Sequence, residues 1–247
     1  TPSYGLAEAT LAVSVAPVGQ GIVCDLVDEK RLAGDGFADT VVDAGRPVRY
    51  RAIVDCGVAL PGLAIEIRDS GGRKLPDRQI GRVLVKGLGL MDGYFRDPEA
   101  TAACLSPDGW LDTGDMGYLV DGHIFIVGRA KDMIILNGKN HWPQDIEWAI
   151  EQLEGFKSGD IAAFSVTTDA GEEAPAVLVQ CRASDPAERQ RLKDAIRQKV
   201  RQLTGMNCIV ELVPPKTLPR TTSGKLSRSK ARSLYLSGEI VPLDRAA

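Results

Sequence analysis

Tyr118-Leu119-Val120-Asp121-Gly122-His123-Ile124-Phe125-Ile126-Val127-Gly128-Arg129-Ala130-Lys131-Asp132 is where the pattern of this chain turns over. Two apolar runs, Tyr118 to Val120 and His123 to Val127, flank Asp121-Gly122. An Asp-Gly pair in that place is a strong hairpin signal, because both residues accept the positive φ that a two-residue turn demands. Before this stretch the chain reads as strands and hairpins. After it, helical and strand patterns alternate. The spacing therefore predicts a boundary at Arg129 to Asp132, dividing residues 1–130 from residues 131–247.

Upstream, Leu63 to Arg68 alternates as a half-buried strand does and ends in the turn residues Asp69-Ser70-Gly71-Gly72. Arg82 to Lys86 reads as a second strand, bounded by glycines. Residues 21–53 mix charges and glycines and read as a long insertion or loop. Downstream, a short apolar run from Met133 to Leu136 leads to Asn137-Gly138-Lys139-Asn140. Pro143 stands where a first helical residue would be, Ile146, Ala149, Ile150 and Leu153 follow at helical spacing, and Gly155 supplies a stop. Ile161 to Val166, Ala176 to Cys181 and Cys208 to Val213 read as strands. A second helix opens at Pro186 and closes at Gly205, and a third covers residues 226–236. The fold class is α/β and α+β: the β-rich tail of a larger domain, then a small C-terminal α+β domain whose sheet is covered by helices.

Bulk properties narrow the function. The 247 residues carry a net charge of -3, which leaves no basic footprint for nucleic acid. No apolar run is long enough for a transmembrane segment, and no secretory signal is visible at the start. Cys24, Cys56, Cys104, Cys181 and Cys208 are scattered and odd in number, which argues against a zinc cluster or a disulfide framework and for a reducing cytoplasmic setting. With only His123 and His141, a histidine metal site or a Ser-His-Asp triad is poorly supplied. The chain opens on Thr1 within the motif-like stretch Ser3 to Thr10, the expectation for a piece of a longer polypeptide.

Near the other end, Leu218-Pro219-Arg220-Thr221-Thr222-Ser223-Gly224-Lys225 reads as a loop. A loop can carry the compact charge of a lysine, on its long stem, to a phosphate or carboxylate. Taken alone, the segment reads more readily as an ordinary surface lysine, which most lysines are.

Several segments line up in order: Tyr4 to Glu8, Gly93-Tyr94-Phe95, Trp110 to Asp115, Gly128 to Asp132, Asn140 to Glu147, and the lysine loop. Their order and spacing resemble the adenylate-forming superfamily of acyl-CoA synthetases, peptide-synthetase adenylation domains and luciferases, and most closely the fatty acyl-AMP ligases. The resemblance covers nearly the whole chain but only the C-terminal portion of such an enzyme. It implies that Tyr4, followed by Gly5, packs on adenine, a position that otherwise reads as a core tyrosine. It implies that Glu8 stands near Mg²⁺, where a carboxylate is an appropriate hard ligand; without it, Glu8 is a helix-end acid. Asp115 would accept the ribose hydroxyls, although Thr113-Gly114-Asp115 is also ordinary turn chemistry. Arg129 would contact the ribose or phosphate region, its alternative being a surface ion pair. Lys131 would be the hinge between the large and small domains, its alternative being a solvated linker residue. Lys225 would be the adenylation lysine, with Ser223 and Gly224 shaping its loop and Arg220 reaching phosphate or solvent.

The stretch Asn140-His141-Trp142-Pro143-Gln144-Asp145-Ile146-Glu147 and the long 21–53 segment favour the acyl-AMP branch. In that family the insertion restricts the swing of the small domain and disfavours CoA. The resemblance thus implies ATP and Mg²⁺, a fatty acid substrate, and transfer to an acyl carrier protein or a polyketide or peptide synthetase carrier domain. Nothing in the chain resembles the family's Ser/Thr/Gly-rich phosphate loop, so the piece alone is expected to be inactive. Two other readings stand beside this one: an acyl-CoA synthetase fragment, and a non-catalytic module that docks a carrier protein.

Overall fold

The computed structural model describes residues 1–41, 49–136, 138–168, 171–222 and 224–245. Part of the 21–53 segment and Ser223 lie outside the described residues. The chain divides into two compact units, Thr1–Lys131 and Asp132–Ala247.

The first unit is built on antiparallel strands: β1 (Ser3–Tyr4), β2 (Ser14–Val15), β3 (Cys24–Asp28), β4 (Tyr50–Ala59), β5 (Leu63–Arg68), β6 (Gly81–Gly87), β7 (Leu111–Val120) and β8 (His123–Arg129). They form one sheet in the order β1-β2-β4-β8-β7-β6-β5, with β3 paired to β4. The Asp-Gly hairpin is present between β7 and β8. Asp121 and Gly122 have φ of 49° and 82°, and Val120 faces His123 across the turn. Ile67, Val83 and Ile124 pack into one buried cluster from three different strands, and Val13 and Val85 form another with Ala9. Two short helices, α1 (Glu29–Gly34) and α2 (Pro98–Cys104), lie in the connections.

The 21–53 segment departs from the loop expected for it. Its described part holds β3, which pairs with β4 from Cys24↔Val54 to Asp28↔Tyr50, and α1. Asp28 caps α1, its carboxylate accepting from the N–H groups of Lys30 and Arg31 at 2.8 and 3.0 Å. Such a cap is worth about 1 kcal/mol. Asp25 then ties the ribbon inward by accepting from Tyr118 and Arg78, each at 2.9 Å.

The second unit contains β9 (Ile134–Leu136), β10 (Lys139–His141), α3 (Pro143–Glu151), β11 (Ile161–Thr167), β12 (Glu173–Gln180), α4 (Pro186–Thr204), β13 (Ile209–Val213) and α5 (Arg228–Leu236). The main sheet runs β11-β12-β13, antiparallel then parallel. Side chains alternate across it, as the pleat requires. Ile161, Ala163, Val177, Val179, Val210 and Leu212 meet Ile146 and Ile150 of α3 and Ile196 and Val200 of α4. Ala162, Phe164, Val166, Ala176 and Leu178 face the other way and meet Ala231 of α5. Pro175 is tolerated in the central strand because the parallel pairing with β13 begins only at Ala176. Helix α3 ends at Glu151 with Gln152 as its cap, earlier than the stop expected at Gly155. The short hairpin of β9 and β10 is a further element that the sequence pattern did not announce.

Candidate active site

In the first unit the chain geometry gathers three of the expected residues. Tyr4 donates to Asp115 Oδ2 at 2.7 Å, and Arg129 Nε lies 3.3 Å from Asp115 Oδ1. Asp115 and Arg129 are direct partners across β7 and β8. Asp115 also ends a bulge. Between the pairs Leu84↔Asp112 and Arg82↔Met116, β7 carries three residues where β6 carries one. Asp112 and Thr113 hold that bulge by accepting from the N–H groups of Gly114 and Asp115, at 2.9 and 3.1 Å. A bulge re-aims side chains, and this one turns a strand residue toward Tyr4. The Thr-Gly-Asp signature is therefore a kink inside a ten-residue strand, not a terminal turn.

Burial pushes the Asp115 carboxyl above its ordinary range, and the Tyr4 hydroxyl and Arg129 pull it part of the way back. Burial, and then the charge of Asp115, push the Tyr4 phenol up as well, so it remains a donor. The Tyr4 ring packs at the edge of both apolar clusters of this unit. Gly5 beside it has a steric reason to be glycine: a Cβ there would lie 1.7 Å from the Leu11 carbonyl oxygen.

Glu8 stands apart from this cluster in its contacts. Its Oε1 accepts from the Tyr94 hydroxyl at 2.8 Å, and its carbonyl accepts from the Met91 N–H. That bond is the largest cause of a Tyr94 phenol pushed up to about 12. In the sequence Tyr94 is one residue of a motif, and the structure gives its hydroxyl a specific carboxylate partner. Among the described residues no group of three or more His, Cys, Asp or Glu side chains gathers to hold a metal ion. A lone carboxylate is still compatible with Mg²⁺, which usually takes one or two carboxylates along with phosphates and water. Trp110, at the head of β7, lies under the Arg68 guanidinium, 4.6 Å from its ring centre.

In the second unit, Lys225 sits on a tight turn. The Thr221 N–H donates to the Lys225 carbonyl at 2.8 Å, the Lys225 N–H donates to Thr221 Oγ1 at 3.2 Å, and Arg220 pairs with Leu226 across the turn. Gly224 takes a φ of 81°. Arg220, expected to meet phosphate or solvent, instead donates to the carbonyls of Gly224 and Gly159 at 3.0 and 3.1 Å. It pins the loop to the turn before β11. The Lys225 side chain is exposed, and among the described residues its ammonium has no ion-pair partner.

The Asn140 to Glu147 motif also acquires a role within the unit. Trp142 is buried just before α3, whereas Trp148 is 53% exposed. Glu147 is buried. It accepts the Ala163 N–H of β11 at 3.0 Å and two hydrogen bonds from Arg228, at 2.7 and 2.6 Å. Arg228 was not singled out by the sequence pattern. Lys131, the expected hinge, is exposed in the 3₁₀ turn Ala130–Asp132 at the boundary of the two units.

No family model matches the chain. Individual relatives do. A Caulobacter vibrioides protein, provisionally named an acyl-CoA synthetase, is 46% identical over 237 residues, covering 96% of this chain and 41% of its own length. The long-chain-fatty-acid–AMP ligase FadD32 of Mycobacterium marinum is 33% identical over 279 residues, covering 97% of this chain and 44% of its own. A solved structure from a study of fatty acyl-adenylate ligases of E. coli and L. pneumophila superposes with a TM-score of 0.87 at 39% identity, over 96% of this chain and 42% of that one. The chain belongs to the adenylate-forming superfamily. It spans about two fifths of the length of these relatives and corresponds to their C-terminal portion. Adenylate-forming ligases use ATP, and acid activation is the chemistry of the group. Its mixed α/β architecture is that of the same enzymes.

Proposed function

We propose that the polypeptide carrying this chain is a fatty acyl-AMP ligase. A fatty acid carboxylate attacks the α-phosphorus of ATP, the bond to the leaving pyrophosphate breaks, and acyl-adenylate forms. The phosphopantetheine thiol of a carrier protein then attacks the acyl carbonyl and AMP leaves. The observation that carries the reading is Lys225: an exposed ammonium, unpaired among the described residues, on a turn held by Arg220 and Thr221. Such a group places fixed charge where negative charge builds between carboxylate and α-phosphate.

In this reading the Tyr4 ring packs on adenine beside Gly5. The two Asp115 oxygens take the ribose hydroxyls, and Arg129 reaches the ribose or phosphate region. Glu8, its second oxygen not used by Tyr94, lies toward Mg²⁺ on the ATP phosphates. Lys131 is the pivot between the two units. The ribbon of β3 and β4 within the 21–53 segment favours transfer to a carrier domain over CoA, by the family resemblance. Residues 1–247 supply only part of this site, and the isolated chain is inactive.

The test is ATP-dependent acyl-hydroxamate formation by the full-length polypeptide. Lys225→Ala lowers the rate by about 10²–10³, the usual effect of losing one preorganised electrostatic contact. Unchanged adenylation in that variant would remove Lys225 from its role. Acyl-CoA formation at a rate comparable to carrier acylation would instead favour an acyl-CoA synthetase.

A further inference from the structure

We infer that Arg228 is a positioning residue for Lys225, acting from the far arm of the lysine loop. Two arginines brace that loop. Arg220 holds the arriving arm through the carbonyls of Gly224 and Gly159. The departing arm passes through Leu226 and Ser227, where the Ser227 N–H donates to the Pro219 carbonyl at 3.0 Å, and enters α5 at Arg228. The Arg228 side chain is largely turned inward. Its Nε and Nη2 grip both oxygens of buried Glu147, and its Nη1 lies 3.4 Å from Asp132 Oδ2.

Those partners come from two places. Glu147 lies on α3 and accepts the Ala163 N–H, so it is anchored to the edge strand β11. Asp132 is the first residue of the second unit, immediately after Lys131. One guanidinium three residues from Lys225 thus joins the lysine loop, the main sheet and the entry of the unit. A bidentate guanidinium–carboxylate pair adds geometric specificity to its strength. With Glu147 buried and Asp132 half-buried, a shorter or differently shaped cation cannot keep all three contacts. In consequence, the turn presenting Lys225 moves as one body with Asp132 when the chain rotates before it.

The inference rests on the adenylation reading and deepens it. The test is a double-mutant cycle in the full-length polypeptide, scored by acyl-hydroxamate formation. Arg228→Lys lowers kcat on the order of 10–100-fold with KM for ATP and fatty acid nearly unchanged, because an ångström of misplacement has an effect of that size. In the Lys225→Ala background the same substitution causes no further loss. Multiplying losses, or an unimpaired Arg228→Lys beside a crippled Lys225→Ala, overturn the positioning role and leave the adenylation reading intact. A Lys225→Ala variant with full activity overturns both. Should Arg228→Lys fold poorly, Asp132→Asn, at the longer contact of the same network, must show the same non-additivity; additive losses there refute the inference equally.

Discussion

Asp115 is buried, and among the described residues one of its oxygens meets the Tyr4 hydroxyl and the other the Arg129 guanidinium. Tyr4→Phe removes the first while leaving the ring in place. An acceptor left buried without its donor costs about 1–3 kcal/mol, and denaturant unfolding of the first unit will show a midpoint lowered accordingly. In the second unit, burial, and then the charge of Lys139, hold His141 below its ordinary value of 6.5. Its sign is opposite to that of a histidine stabilised by a carboxylate. Below that ordinary value the unfolded chain takes up a proton that the folded one refuses, so stability is lost as pH falls from 6.5 toward the depressed folded value. His141→Asn will flatten that part of the pH–stability curve, measured by thermal unfolding between pH 7 and pH 5. These roles were only partly legible in the sequence. Thr113-Gly114-Asp115 reads as turn chemistry in the sequence, and the structure places a bulge within β7 there instead. That it aims at Tyr4, 111 residues away in the chain, depends on a register shift between β6 and β7 that no local pattern encodes.

Where one element dominates its own surroundings, it could be read in advance. β5 runs from Leu63 to Arg68, as its alternation predicts, and α4 ends with Gly205 as a left-handed cap at a φ of 77°. Where pairing is distant, the reading failed. β3 shows only Val27 buried, with Cys24 and Leu26 exposed, so the usual contrast between a wet and a dry face is absent. Its strand character comes from β4, more than twenty residues on. β4 itself carries a sharper constraint. Gly57 has a φ of 79° at the irregular register between Asp55 and Val58, and an added Cβ would meet the Val15 carbonyl oxygen at 2.0 Å. Asp55 holds that backbone by accepting the Gly57 N–H at 2.7 Å, and also contacts His123 Nδ1. Gly57→Ala must both strain the backbone and push β2 away from β4. Its effect falls in the severe class of substitutions, about 4 kcal/mol or more, and will be seen as a large drop in melting temperature or loss of soluble protein.

At the scale of the whole molecule, each unit owns its core. Residues 132–247 have a sheet buried on both faces by helices of the same unit, and an ion-pair network closed within it. Their tail is tied back too, with Lys193 beside both Glu211 and Asp244. Expressed alone, this segment will fold cooperatively, with dispersed amide resonances and a single unfolding transition; a molten, non-cooperative product would show that its core is incomplete. The boundary near Arg129 to Asp132 was legible because the hydrophobic period changes there from two toward 3.6. The helical cover of the sheet was legible for the same reason, whereas the closure of Glu147, Arg228 and Asp132 was not, since ion pairs leave no periodic trace.

The three tryptophans are distributed in a way that has a practical consequence. Trp110 is the one that precedes the boundary, and it lies beneath a guanidinium. Trp142 and Trp148 flank the first turns of a single helix, one buried and the other half open to solvent. Emission from the shielded indole will therefore sit to the blue of its neighbour's, and acrylamide will extinguish Trp148 first. With Trp110 replaced by phenylalanine, the remaining light comes from the second unit alone. The chain thus carries built-in optical labels whose colour and quenching distinguish loosening of the helix from changes elsewhere.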